Sequence, residues 1–228
     1  MIPESERKKF ALLLAALLAA SAFGYWGYST YRKRDLQGTV VELVKDTSLR
    51  LREALSIETG SQPDRPEVVR KLDDHTLEVD KHLMELRSKS ASPDRALMDA
   101  ADEYLLTARQ ILREQASSHR YRIELSLSMQ GLLEHMRTAN RRSESWIKEA
   151  IGAKDRVEKD YFSYKLSVEA FGRLLDSYPE ARARLAAHVD AALLVEPALA
   201  REARKQELDS SKQAAGEMER ARRLAGVR

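Results

Sequence analysis

An uncharged run near the N-terminus constrains this chain more than any other feature. Residues 10–28 read FALLLAALLAASAFGYWGY, and none of these 19 side chains is charged. As an α-helix the run is about 28 Å long, close to the roughly 30 Å hydrocarbon core of a bilayer. A helix that is apolar on every face is typical of a membrane span rather than of a soluble surface helix. The sequence therefore predicts a single transmembrane helix over residues 10–28.

Basic and aromatic residues flank this run, as they flank membrane anchors. Residues 1–9 form a basic N-terminal flank, and a second basic group follows the run. The predicted membrane-interface residues are Arg7, Lys8, Lys9, Tyr25, Trp26, Tyr28, Tyr31, Arg32, Lys33 and Arg34. The alternative is a cleaved secretory signal, because Ala20-Ser21-Ala22 has the small-x-small form of a cleavage site. The aromatic and basic residues that follow it favour a retained anchor.

The charge distribution indicates where the rest of the chain lies. Residues 1–34 carry a net charge of +4, and the remaining 194 residues carry −1. A chain without a larger positive surface is not expected to bind nucleic acid. Three basic side chains lie on each side of the run, and the short basic N-terminus favours the cytoplasmic side. We expect a bacterial inner-membrane protein with a cytoplasmic N-terminus and residues 35–228 in the periplasm.

The remaining sequence has the spacing of amphipathic helices. A stripe with helical period runs from Leu36 to Leu55, so the first helix is predicted to continue until residues 59–63 break it. Pro66 is predicted to open the second helix, and Ser92-Pro93-Asp94 to supply the N-cap, N1 and N2 positions of a third. The predicted apolar stripe of the second helix is Val69, Leu72, Thr76, Val79, Leu83 and Leu86.

No proline occurs between Asp94 and Tyr178, so this stretch is either one long helix or two to three helices that fold back. If the chain folds back, the polar windows 116–120 and 137–145 are the candidate points, and the apolar alternation lapses around the first. The predicted outcome is an all-α fold: an N-terminal single transmembrane helix followed by an elongated helical bundle with coiled-coil-like packing.

Prolines also divide the C-terminal part of the predicted bundle. Pro179 is predicted to start a new helix, and Pro197 to interrupt or kink it. The bundle domain is predicted over residues 29–200. Residues 201–228 are rich in charged side chains and alanine, which predicts a polar C-terminal helix or a frayed tail.

The motifs of catalysis and of metal binding are missing from the sequence. The chain has no cysteine, and no histidine has a glutamate three residues before it, which is the spacing of di-iron bundles. His75, Glu78 and His82 share one helical face, but a solvated charged face produces the same spacing by chance. Phosphate-binding glycine loops and nucleophile elbows are also missing. We predict that the protein is not an enzyme and binds neither a metal nor a cofactor.

Aromatic residues are densest between residues 146 and 178, outside the uncharged run. The candidate partner or ligand patch consists of Trp146, Tyr161, Phe162, Tyr164 and Phe171. Such rings are enriched at protein interfaces and in ligand slots. The alternative interpretation is a core stripe, because Val157, Tyr164 and Phe171 are spaced by seven residues.

These observations predict a protein that functions by binding other proteins rather than by catalysis. The apolar stripes must be buried within a bundle or against another chain. We therefore expect a scaffold, spacer or accessory subunit of a cell-envelope assembly, with the membrane and other proteins as partners and with self-association among the options. A sensory or small-ligand-binding helical ectodomain is one alternative. A soluble secreted helical protein, after signal cleavage, is the other.

Overall fold

The computed structural model of this chain is a bundle of α-helices. It describes residues 4–57, 64–89, 94–137 and 143–224, with side chains described except at residues 4–20, 22–25 and 224. The five α-helices of this part are α1 (Glu4–Ile57), α2 (Arg65–Ser88), α3 (Arg95–Arg137), α4 (Glu144–Ala186) and α5 (Pro197–Leu224), with a short 3-10 helix at Ala191–Leu193. The predicted all-α helical bundle is therefore confirmed.

The first helix, α1, is uninterrupted over 54 residues, a length of about 80 Å. It includes the uncharged run of residues 10–28 and ends within the bundle, so the predicted continuation of this helix is confirmed. The six apolar residues of the predicted stripe are buried, namely Leu36, Val40, Leu43, Val44, Leu51 and Leu55, and Thr47, Ser48 and Ala54 are buried beside them. The predicted helix breaker at residues 59–63 lies outside the described residues.

The start of α2 agrees with the sequence, but its buried face is shifted. Pro66 lies in the first turn, where a helix has no partner for its N–H. Val68 and His75 are buried, whereas the predicted core residues Val69 and Thr76 are only partly buried. The reason is that α2 packs on α1 and α3 at once, which widens its buried face to include a histidine that has polar partners on α1.

The N-cap of α3 differs from the prediction by two residues. Asp94 precedes the helix, and its Oδ1 accepts a hydrogen bond from the backbone N of Leu97 at 3.2 Å. Asp94 is therefore the cap rather than the second helical residue, because its carboxylate reaches an amide that has no helical partner. The predicted N-cap and N1 residues, Ser92 and Pro93, lie outside the described residues.

The fold-back between α3 and α4 occurs in only one of the two predicted windows. α3 runs through residues 116–120 without a break, so the first candidate window is not a fold-back point. The chain reverses between Arg137 and Glu144 instead. Ser143 caps α4, since its Oγ accepts from the backbone N of Trp146 at 3.2 Å.

α3 and α4 form an antiparallel hairpin that runs the length of the bundle. Each helix has 43 residues, or about 65 Å. At one end the rings of Tyr104 and Tyr178 lie 6.0 Å apart, and at the other end His135 and Trp146 stack at 4.9 Å. This hairpin is the frame on which the other helices pack.

Proline does not divide the C-terminal region as predicted. α4 continues through Pro179, so the predicted restart is wrong. Pro179 donates no backbone hydrogen bond, but its neighbour Tyr178 is buried and donates its hydroxyl to the carbonyl of Val195 at 2.7 Å, which holds the helix in place. Pro197 is the first residue of α5, and the interruption lies before it.

The buried side chains form two apolar cores along the hairpin. The first core contains residues from α1, α2, the first half of α3, the second half of α4 and the start of α5. The second core consists of Leu125, Leu132, Ala153, Val157, Tyr164, Val168, Ala214, Met218 and Ala221. Of the two alternatives for residues 201–228, the structure has the helix, which runs to Leu224. The predicted boundary at residue 200 falls inside this helix, and α5 supplies one wall of the second core.

Candidate functional site

An exposed segment of α1 lies next to the end of the bundle, and residues 26–34 are here named the aromatic–basic collar. Trp26, Tyr28 and Tyr31 are 69%, 58% and 70% exposed. The guanidinium carbon of Arg32 lies 5.4 Å from the ring centre of Tyr28, a cation–π contact. Lys33 Nζ lies 3.4 Å from the Oδ2 of Asp94 at the start of α3, and this ion pair links the collar to the bundle.

The collar contains six of the ten predicted membrane-interface residues, and Arg34 is exposed there as well. The side chains of the other four, Arg7, Lys8, Lys9 and Tyr25, lie outside the described residues. Most side chains of the uncharged run also lie outside them. Within the part of the chain that the structure describes, no helix is long and apolar enough to cross a membrane.

The five residues of the candidate aromatic patch do not lie together. Trp146 is at the tip of the hairpin, where its Nε1 donates to the carbonyl of His135 at 3.3 Å. Phe171 is 25 residues further along the same helix, about 37 Å away. Trp146 therefore joins the ends of α3 and α4, and Phe171 belongs to the first core.

The other three patch residues lie between these ends with different exposures. Tyr161 packs against the second core, and Tyr164 is buried within it. Phe162 is 61% exposed. The alternative core stripe is observed, because Val157, Tyr164 and Phe171 are all buried. Only Phe162 presents its ring to solvent as a docking residue would.

The polar layer, defined as Gln115, Ser118, Arg122, Glu207 and Glu217, was not anticipated from the sequence. Ser118 donates its hydroxyl to the carboxylate of Glu207, and Arg122 donates to Glu217 Oε2 at 2.7 Å. Gln115 Nε2 donates to a backbone carbonyl of α1 at 2.9 Å. These contacts join α3 to α5 and to the end of α1.

The sequence did contain a signal for this layer. The apolar alternation of α3 lapses at Gln115, Ser118 and Arg122, and this lapse is also what makes residues 116–120 a candidate fold-back window. The structure places these side chains inside, where the two cores meet. Each of these three side chains donates a hydrogen bond to another helix, which offsets part of the cost of burying it.

The histidine pair considered for metal binding faces α1 and not solvent. His75 and His82 lie at the α1–α2 interface, and Glu78 pairs instead with Lys81, with 2.6 Å between Oε1 and Nζ. Across the described ranges, no group of three or more His, Cys, Asp or Glu side chains could hold a metal ion. The pair is better described as part of the helix–helix contact.

A cleft between α4 and α5 is lined in part by Phe171 of the candidate patch. It has a volume of about 320 Å³, and its lining includes Phe171, Gly172, Arg204 and Glu207. Arg204 is already paired with Asp176. Glu169 pairs with Lys165 and Glu207 accepts from Ser118, so three of the four charged residues that line the cleft have partners within the protein.

No protein-family model, curated protein or solved structure matches this chain.

Proposed function

We propose that this chain is a non-catalytic, single-pass membrane protein whose helical bundle serves as a scaffold, spacer or accessory subunit of a cell-envelope assembly. The observation that carries the proposal is the continuity of α1 from Glu4 to Ile57. One helix contains the uncharged run, the aromatic–basic collar and the first wall of the bundle. A continuous helix has no hinge, so it would hold the bundle at a fixed distance from the membrane.

The collar supports a membrane interface at residues 26–34. Its three aromatic side chains are largely exposed. Such side chains are stabilised at the headgroup level of a membrane, where the ring is buried and the polar atom stays hydrated. Leu36 is already buried in the bundle, only two residues after Arg34. The bundle would therefore begin immediately outside the headgroups, on the periplasmic side in our proposal.

Exposed apolar side chains on α4 support protein partners. Four of them are exposed and form two pairs, Ile147 with Ile151 and Phe162 with Leu166. The two members of each pair are four residues apart, about one helical turn. Side chains at i and i+4 lie on one face of a helix, so each pair forms a small apolar surface. Contact with another subunit of the assembly would bury these surfaces.

Protease accessibility tests the topology. A C-terminal epitope tag on the full chain is followed in intact spheroplasts, with the size of the membrane-bound band read on the same blot. We expect loss of the tag from a full-length membrane protein. A protected tag would place the bundle in the cytoplasm, and a shorter, soluble, accessible band would indicate a cleaved signal.

Tryptophan quenching tests the collar directly. The chain has two tryptophans, so Trp146→Phe leaves Trp26 as the sole reporter, and Trp26→Phe leaves Trp146. In vesicles made with brominated lipids we expect strong quenching of Trp26 and little quenching of Trp146. Equal quenching of the two would contradict a membrane interface at the collar.

A further inference from the structure

Two histidines of α2 meet a charged stretch of α1. The histidine seam is defined here as Asp46, Arg50 and Glu53 of α1 together with His75 and His82 of α2. The histidines are seven residues apart, so they lie two turns apart on one face. Their side chains are only 9% and 14% exposed. The seam therefore brings titratable groups into a largely closed helix–helix contact.

The hydrogen bonding of His75 specifies a neutral ring. Its Nδ1 lies 3.4 Å from NH1 of Arg50, and a guanidinium can only donate. Nδ1 must therefore accept, which leaves the ring proton on Nε2, and Nε2 faces Glu53 Oε2 at 3.4 Å. A second proton on Nδ1 would place an N–H and a positive charge directly against Arg50.

His82 contacts α1 one heptad further along, through a carboxylate and through a hydroxyl that can either donate or accept. Its Nε2 lies 3.3 Å from Asp46 Oδ2, and its Nδ1 lies 2.9 Å from Thr47 Oγ1. Arg50 Nε donates to the same Asp46 oxygen at 2.7 Å. Because Arg50 already neutralises Asp46, this carboxylate is a weakened partner for a protonated His82.

The charged groups around the seam come from α1 and α2. On α2, Lys71, Glu78 and Glu85 also act on the histidines. Helix α3 packs on the other flank of α2, where Arg87 pairs with Asp102 and Arg65 lies 3.1 Å from His119 Nδ1. The α2 carboxylates that face α3 there are Asp80, paired with Arg109, and Asp73, paired with Arg120. Those acidic positions lie on the opposite side of α2 from the seam.

Both rings resist protonation in the folded protein. Burial lowers the pKa of His75, the positive charge of Arg50 lowers it further, and Glu53 opposes the change only in part. Burial also lowers the pKa of His82, with Asp46 opposing. A histidine whose folded pKa is lowered supports folding above its ordinary pKa, and this support is lost as the pH falls.

We propose that the histidine seam is a pH-sensitive joint, in which protonation of His75 and His82 loosens α2 from α1. The proposal does not depend on membrane insertion. The opening constant of the joint would rise about tenfold for each unit by which folding lowers the pKa of a histidine. Acidification through the histidine range would thus change the position of α2 on the helix that carries the collar.

Spin-label distances test the joint in the full chain. The protein has no native cysteine, so Lys45→Cys and Met84→Cys, both at exposed positions, place labels on α1 and α2. We expect one narrow distance at about pH 7.5 and a longer population, severalfold larger than at neutral pH, at about pH 5. An unchanged distribution would overturn the proposal.

Two sets of variants separate the seam from general acid effects. His75→Gln with His82→Gln removes both titrating rings and should abolish the longer population, whereas His188→Gln, at an exposed position after α4, should leave it in place. Arg50→Gln removes a charge that lowers the pKa of folded His75, so protonation should open the joint less and the longer population at about pH 5 should shrink. An acid response that persists in the double variant, or one that is undiminished in Arg50→Gln, would overturn the proposal.

Discussion

Ser118 of α3 donates its hydroxyl to the carboxylate of Glu207 of α5, and the two residues are only 3% and 4% exposed. A carboxylate is costly to bury unless hydrogen bonds compensate for its lost hydration. The contact therefore selects one position of α5 along α3, because sliding the helix would leave Glu207 against apolar side chains. The polar layer thus sets the register of the C-terminal helix.

Removal of this donor should weaken the docking of α5. We expect Ser118→Ala to lower the free energy of unfolding by about 1–3 kcal/mol, because a buried acceptor loses a partner. Urea denaturation followed by circular dichroism measures the change. Ser117→Ala is the matched control, since its hydroxyl donates to its own helix at an exposed site, and we expect it to change stability by less than about 0.5 kcal/mol. Equal effects at the two serines would contradict this role.

Gln115 is expected to cap the end of α1. Its Nε2 donates to the carbonyl of Ala54, one of the last four carbonyls of α1, which have no partner within their own helix. Gln115→Glu replaces the donor by a carboxylate, so we expect a loss of about 1–3 kcal/mol at neutral pH. The loss relative to the native chain should shrink at about pH 4, where a protonated glutamate can donate.

The control for this capping contact is Gln110→Glu, at an exposed position of the same helix. Its effect should stay within about 0.5 kcal/mol at both pH values. Urea titrations of the two variants and the native chain, compared at each pH, measure the difference. A Gln115→Glu penalty that is the same at both pH values would argue against the cap.

Tyr178 should make stability fall at alkaline pH. Burial, and then the neighbouring Tyr104, raise the pKa of its phenol. A raised folded pKa gives stability that is complete below the ordinary phenol pKa of about 10 and is lost as the pH rises above it. We expect Tyr178→Phe to flatten this alkaline decline in thermal melts, while the exposed Tyr31→Phe leaves it unchanged.

At neutral pH the same substitution should have a small effect. Tyr178→Phe removes a hydrogen bond to the carbonyl of Val195, but that carbonyl still accepts from Arg182 Nε at 2.9 Å. We therefore expect a loss of about 0.5–1.5 kcal/mol, in the range of a single net hydrogen bond. A loss well above that range would mean that the phenol has a larger packing role.

The first core should dominate the stability of α3. Leu112 is fully buried there, and we expect Leu112→Ala to lower the free energy of unfolding by about 2–5 kcal/mol through lost burial and a cavity. Leu127 lies on the same helix and is exposed, so Leu127→Ala should change it by less than about 0.5 kcal/mol. Chemical denaturation of both variants makes the comparison.

The sequence predicted helices better than it predicted their ends. Pro66 marked the start of α2 because a first-turn proline needs no helical partner. Pro179 was misleading because the burial of Tyr178 and its hydrogen bond to Val195 stabilise a helix that local propensity alone would interrupt. In α3, the lapse at Ser118 was visible in the sequence, but a polar lapse has the same appearance whether it faces solvent or a buried partner.

The candidate site was also only partly predictable from the sequence. Exposed aromatic and basic residues of the collar were identified from their position beside the uncharged run. The patch around Trp146 and Phe171 was grouped because its members are near in sequence, yet a straight helix separates them by about 37 Å. The histidine seam could not be found by spacing alone. Its proposed pH response depends on the contact of His75 with Arg50, which lies 25 residues earlier in the chain.

The residue pattern by itself determined the helical class, the stripe from Leu36 to Leu55, and the absence of familiar catalytic motifs, because these depend on periodicity and composition. Only the tertiary structure decided that α3 and α4 form a full-length hairpin, that α5 completes a second core, and that His75 meets Arg50. The physical reason is that helix spacing specifies which side of a helix is apolar. Which polar side chains can be buried on that side depends on the hydrogen-bond partners that the neighbouring helices supply.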